Sequence, residues 1–179
     1  MAITAILFDL GNTLVEQRVD SDKPLDRMRL VLLPGVKETL PILYTKYKLA
    51  VLSNTSRSKA ANVTEALEKL SVRRYFSEIV TSIDVGAEKP NPRIFEAVLR
   101  RLGVKPDQAL MIGNDLVQDI EGAKAIGLRT GWFTGTPKHH VDSADFSFSD
   151  FGDLPQLIAA LEQSSGGYRD DKHSRRKSS

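Results

Sequence analysis

The chain contains no cysteine among its 179 residues. Disulfides, thiolate zinc sites and a cysteine nucleophile are therefore excluded, and a reducing cytoplasm is the compartment that fits. No long hydrophobic run is present either. The apolar stretch that opens the chain, MAITAILF, ends at Asp9 with no basic segment before it. At about seven residues it is too short for a signal peptide or a membrane span, and it reads as a buried strand. A charge excess of one sign is missing as well. Lys and Arg number 25 against 23 Asp and Glu, a formal net charge of +2. Within Ser164–Ser179 five basic residues stand against two acids, a local +3, so the remainder of the chain carries about −1. The alkaline pI of 8.8 thus comes from the tail and is poor evidence for a nucleic-acid-binding domain, so a nucleic-acid partner is not expected. The tail, SSGGYRDDKHSRRKSS, has no aliphatic residue and no period, so residues 164–179 are expected to be a disordered basic end. Its RRK could touch a phosphate backbone or an acidic surface, and a solvated end is the plainer reading.

Up to residue 163, strand and helix signals alternate. Continuous apolar runs at Ala5–Asp9, Leu49–Ser53, Glu78–Ser82, Ala109–Gly113 and Arg129–Phe133 read as strands covered on both faces. Helical spacing falls between them, at Gly35–Lys46, Ser58–Leu70, Pro92–Leu102, Asp115–Ile126 and Leu154–Leu161. This alternation predicts one α/β domain over residues 1–163, a three-layer doubly wound parallel sheet. Ligands of such sheets bind beyond the carboxyl ends of the strands. The polar residues gather there: Asp9, Ser53 with Asn54, Lys89, and Asn114 with Asp115.

A carboxylate at a strand end, as at Asp9, can attack phosphorus, although it can equally cap the segment that follows. The Ser53 hydroxyl and neighbouring N–H groups can hold phosphoryl oxygens, and Ser-Asn is also ordinary turn chemistry. Lys89, in GAEKPNP, would neutralise nearby carboxylates or a transferring group; alone it would be a solvated loop lysine. Asp115 and Asp119 are four apart, on one face of a helix start, where they either favour the macrodipole or bind a hard cation through oxygen. Magnesium suits such a set, since it uses one or two carboxylates with waters and substrate phosphate. His139 and His140 follow the last strand and could reach the same edge, but as unpaired loop residues they read as exposed. Trp132 and Phe133 read as core.

The ordered set FDLGNTL, VLSNTS, EKPNP and IGNDLVQDIEGAKAIG resembles the four motifs of the haloacid dehalogenase-like hydrolase superfamily, over about residues 3–133. The resemblance implies a Rossmann-like core and a phosphate-ester hydrolase. Asp9 would be the nucleophile and a metal ligand, Gly11 would offer its carbonyl to Mg2+, and Ser53 would bind the phosphoryl group with Asn54 beside it. Lys89 would be the motif III lysine. Asp115 would ligate the metal with help from Asn114, and Asp119 would support the acidic cluster. The family commonly has an acid where Asn114 stands, which moves metal duty toward Asp115.

One departure bears on rate. Phosphatases of the family carry a second Asp two residues after the nucleophile, where this chain has Gly11. The carbonyl survives and the general acid–base does not, a loss of typically about 10²–10⁴-fold. Two alternatives stay open: a binding or regulatory protein on a degenerate hydrolase fold, and a dehalogenase. The second ranks lower, because Asp115 and Asp119 would repel one another without a cation. Only about 20 residues, Val15–Pro34, separate the first strand's loop from the next helix, too few for a cap domain with its own core. An open site follows. It would admit a bulky phosphorylated substrate, or a neighbouring subunit would cover it, with Leu30, Val31, Leu32 and Leu33 as the apolar contact of a homo-oligomer. Packing of that run on its own sheet is the alternative.

Overall fold

The computed structural model describes residues 2–16, 23–136 and 142–166. Its centre is one parallel sheet of six strands: β1 (Ala5–Phe8), β2 (Lys48–Ser53), β3 (Phe76–Thr81), β4 (Ala109–Gly113), β5 (Arg129–Phe133) and β6 (Phe146–Phe148). They lie in the order β3-β2-β1-β4-β5-β6. The direction of winding reverses between β1 and β4, which opens a crevice at that point of the carboxyl edge. Register keeps the edge level: Phe8 stands opposite Val51 on one side and Ile112 on the other. Asp9 continues the ladder through its N–H to the Ile112 carbonyl (2.9 Å).

Successive strand residues point to opposite faces, so the apolar runs feed two cores. Ile6, Phe8, Leu49, Val51, Leu110 and Ile112 face one side, and Ala5, Leu7, Ala50, Leu52, Ala109 and Met111 the other. The first core is closed by α1 (Val36–Tyr44), α2 (Ala60–Lys69) and, from the chain's end, a helix spanning Leu154–Gly166. The second is closed by α4 (Pro92–Leu102) and α5 (Gly122–Ala125), with a single-turn α3 (Ser82–Val85) before them. The Leu154–Gly166 helix is α6. Pro92 opens α4 after the Asn91 cap, and left-handed Gly103 closes it, as the sequence suggests.

Four expectations are corrected. The third strand begins at Phe76 and ends at Thr81, because the Thr81 hydroxyl caps α3 and draws Ser82 into it. The helix expected over Asp115–Ile126 is a π-helical segment, Leu116–Glu121, followed by α5. A sixth, three-residue strand joins the sheet beside β5. The helix expected over Leu154–Leu161 runs on to Gly166 as α6; the tail from residue 167 lies outside the described residues, as do His139 and His140.

Between β1 and α1, residues 23–34 lie against the body. The 3-10 turn Leu25–Arg27 docks on α2: the Leu25 N–H donates to Ser58 Oγ (2.9 Å), Asn62 Nδ2 to Asp26 Oδ1 (2.9 Å), and Lys69 Nζ to the Asp26 carbonyl (2.6 Å). Leu30, Leu32 and Leu33 pack against the chain's own core, which leaves only Val31 of that run exposed. Among the described residues no second domain is inserted here. No described helix is long and apolar enough to cross a membrane.

Candidate active site

The centre of the crevice is Lys89. Its loop follows α3, and its side chain runs under the sheet edge with only 3% of the residue exposed. All three ammonium protons have acceptors: Asp9 Oδ1 (2.7 Å), Asp119 Oδ1 (2.6 Å) and the Leu52 carbonyl (2.9 Å). Three elements distant in sequence, the ends of β1 and β2 and the π-helical segment after β4, are thus tied to one cation. Burial by itself would lower the Lys89 pKa, but the two carboxylates outweigh it and hold the ammonium charged, above its ordinary range. Burial first, and the Asp9 charge second, push the Asp119 carboxyl up to about 6, against the pull of Lys89.

The wide turn of the π-helical segment explains how Asp119 reaches inward. The N–H groups of Asp119 and Ile120 both bond to the Asp115 carbonyl (3.0 and 3.3 Å). Asp115 Oδ1 caps Val117 and Gln118 N–H (2.9 and 2.8 Å), and Asp119 Oδ2 returns to the Asp115 N–H (3.0 Å). Such π turns recur at functional sites. Two glycines make room. A Cβ on Gly113 would lie 2.3 Å from Asp119 Oδ2, and one on Gly122 would lie 2.8 Å from Pro90 Cβ. The first lets Asp119 fold over the end of β4; the second lets the helix press on the loop that carries Lys89.

Asp9, Gly11, Ser53, Asn54, Asn114, Asp115 and Asp119 line one cavity of about 710 Å³, under which Lys89 lies. Ser53 Oγ makes only a long contact, 3.5 Å to the Asn54 carbonyl, and so is free to bind a ligand. The Asn54 side chain is engaged elsewhere. Its Oδ1 accepts from Lys89 N–H (2.8 Å), and its Nδ2 donates to the Lys89 carbonyl (3.0 Å) and to Gln118 Oε1 (2.9 Å). Asn54 therefore fixes the main chain on both sides of the Lys89 side chain.

A family model for haloacid dehalogenase-like hydrolases matches residues 19–133. The chain belongs to the haloacid dehalogenase-like hydrolases. Among its curated relatives is a glyceraldehyde 3-phosphate phosphatase of Methanothermobacter thermautotrophicus, 38% identical over 133 residues, which are 72% of this chain and 58% of that protein. Another is a ribulose-1,5-bisphosphate 5-phosphatase of Halopiger xanaduensis, 34% identical, with 75% of this chain and 59% of the relative aligned. The chain thus spans under two thirds of the length of these relatives. An uncharacterized Listeria monocytogenes protein of solved structure superposes with a TM-score of 0.80 at 28% identity, covering 90% of this chain and 99% of the other. A HAD phosphatase from Thermococcus onnurineus shares the fold at a TM-score of 0.74 and 21% identity, covering 87% of this chain and 98% of that one.

In this haloacid dehalogenase-like hydrolase the donors fit a hard divalent cation. The lining holds no His or Cys, and its candidate metal ligands are oxygen groups of Asp9, Asp115, Asn114 and Gly11. Lys89 pairs with Asp9 and Asp119, while Asp115 lines the cavity without an ion pair to it, so carboxylate charge remains near the end of β4 for a divalent cation to balance. Among the described residues no cluster of three His, Cys, Asp or Glu side chains is preformed as a metal cage.

Sequence reasoning missed three residues of the site. The Thr13 hydroxyl lies 3.2 Å from both Asp9 Oδ2 and Asn114 Oδ1, and so links the first and fourth motifs. Gln118 anchors Asn54. Trp132, expected in the core and found there, also donates its indole N–H to the Asn114 carbonyl (3.0 Å). Only Thr13 had a visible signal, a hydroxyl residue four positions after the nucleophile candidate.

Proposed function

We propose that this hydrolase cleaves a phosphate monoester through Asp9, with magnesium as its cofactor. The observation that carries the reading is the Lys89 bridge: an ammonium 2.7 Å from one Asp9 oxygen, at the foot of a cavity that also presents Ser53, Asn114 and Asp115. The phosphatase names of the relatives, one acting on glyceraldehyde 3-phosphate and one on ribulose 1,5-bisphosphate, support a small sugar phosphate as substrate.

In this reading the Asp9 carboxylate attacks phosphorus, an Asp9–phosphate bond forms, and the ester P–O bond breaks to release the alkoxide. Lys89 holds Asp9 in place through its hydrogen bond to Oδ1, Ser53 Oγ binds a non-bridging oxygen, and Asn54 keeps the Lys89 backbone fixed. Water then attacks the phosphoryl group, releases inorganic phosphate and restores the carboxylate. A divalent cation at Asp9, Asp115, Asn114 and the Gly11 carbonyl would supply charge neutralisation, which a dianionic substrate needs beside three carboxylates. Gly11 offers no proton to the leaving oxygen, so esters of acidic alcohols are favoured.

The decisive assay is hydrolysis of p-nitrophenyl phosphate with magnesium, with EDTA, and with Asp9→Asn. Turnover lost in both controls supports the proposal. Absence of turnover with retained phosphate binding would favour a binding protein instead, the reading to which the missing acid at Gly11 points.

A further inference from the structure

The cavity has a second cationic feature that the reaction above does not use. Arg57 lines it together with Ser53, Asn54, Leu25, Met28 and Leu30. Its guanidinium has no hydrogen-bond or ion-pair partner among the described residues. The other basic residue that lines the cavity, Lys23, is engaged, as is Glu16.

Arg57 is exposed, yet the loop that carries it is held on both sides. The Thr55 N–H donates to Ser82 Oγ (2.9 Å), and the Ser82 hydroxyl donates back to the Thr55 carbonyl (3.1 Å). Thr55 Oγ1 bonds to the Ser58 carbonyl (2.5 Å) across the turn, and buried Ser58 Oγ accepts the Leu25 N–H (2.9 Å). These bonds fix the loop at Thr55 and Ser58. Ser56 and Arg57 between them make no such bond among the described residues, and the guanidinium is left to a ligand. An arginine matches carboxylate or phosphate oxygens through two parallel N–H donors.

We propose that Arg57 is an anion subsite of the active-site cavity, and that the preferred substrate is a small phosphate monoester bearing a second anionic group, carboxylate or phosphate, a few carbons from the scissile phosphate. The proposal rests on the phosphatase reading. The spacing follows from the chain: four residues from Ser53 to Arg57 reach at most about 14 Å when extended, and the Thr55–Ser58 bond folds the loop well below that. Leu25, Met28 and Leu30 offer the tail no charge, and Lys23 and Glu16 are engaged elsewhere, so selectivity between charged and neutral tails rests on Arg57.

The test compares 3-phosphoglycerate with glycerol 3-phosphate, two three-carbon esters that differ in a carboxylate at the far end. Fructose 1,6-bisphosphate against fructose 6-phosphate gives the phosphate arm. The quantity read is the ratio of kcat/KM, charged over neutral, for the full chain and for Arg57→Met and Arg57→Lys. The expected ratio is roughly 10 or more in at least one pair, falling to about 1 in Arg57→Met through KM, with part retained in Arg57→Lys; tenfold is the scale of one well-placed charge pair. The arm that shows the ratio identifies the second anion. A ratio near 1 in both pairs, or one that survives Arg57→Met, overturns the subsite while leaving hydrolysis of p-nitrophenyl phosphate, and the parent reading, intact. Should no ester be cleaved, the parent reading falls, and calorimetric titration with 3-phosphoglycerate and fructose 1,6-bisphosphate still decides the subsite: binding of either weakened by Arg57→Met upholds it, and binding of neither, or binding that is unchanged, removes it.

Discussion

Replacing Lys89 by Met tests the electrostatic centre of the site through stability rather than turnover. The variant keeps an unbranched chain of similar length and removes the charge. Asp119, 1% exposed, and Asp9, 9% exposed, then lose their shared counter-ion, and the Leu52 carbonyl loses a donor. Removing one member of a buried ion pair costs about 3–5 kcal/mol, because the other member stays buried and uncompensated. The three lost bonds belong to one network and do not add to that figure independently. With a urea dependence of about 2 kcal/mol per molar, the midpoint should fall by roughly 1.5–2.5 M, a large part of the roughly 5–15 kcal/mol that holds a domain folded. The single tryptophan, Trp132, is buried and reports unfolding by fluorescence. EDTA keeps cations out of the measurement. Adding Asp119→Asn to Lys89→Met removes one of the two stranded charges and should restore about half of the loss. A midpoint for Lys89→Met within about 0.5 M of the parent, or a double variant no more stable than the single one, would refute the bridge as the element that holds the three motifs together.

Three further outcomes are expected. Gly11→Asp should raise turnover of alkyl phosphates by roughly 10²-fold or more and of p-nitrophenyl phosphate far less, since only the poor leaving group needs a proton; Gly11 is not among the left-handed glycines of the described residues, so backbone strain does not oppose the change. Gly122→Ala should destabilise the fold by about 1–3 kcal/mol and lower kcat, because the added methyl meets Pro90 at 2.8 Å and shifts the loop bearing Lys89; urea melts and steady-state kinetics check both parts. The last outcome concerns pH. Burial, then the Glu162 charge and hydrogen bond, push Tyr47 up from 10.0 to about 12. Its stabilising contribution is therefore complete below pH 10 and lost as pH rises through about 12. Unfolding free energy should fall over that interval more steeply in the parent than in Tyr47→Phe, measured by urea titration at stepped pH.

The alternation of apolar runs with helical spacing determined most of this molecule from sequence alone. Ala109–Gly113, Arg129–Phe133 and Pro92–Leu102 stand where local pattern puts them, because a run buried on both faces and a helix bounded by Pro and Gly depend on near neighbours only. The same logic placed Asp9, Ser53, Lys89 and Asn114–Asp115 at one sheet edge, since parallel strands all end on the same side. Partnership was not legible. That the Asn54 side chain grips the Lys89 main chain depends on two loops 35 residues apart meeting, and a side chain's choice of partner leaves no trace in composition. The inward reach of Asp119 needed a π turn in place of the regular helix that a spacing of four implies, and needed Gly113 beneath it. The sixth strand, three residues long, exists only because β5 offers an open edge for it to pair with. Local chain chemistry decided the elements and the edge; contacts between residues distant in sequence decided which of the polar groups hold one another.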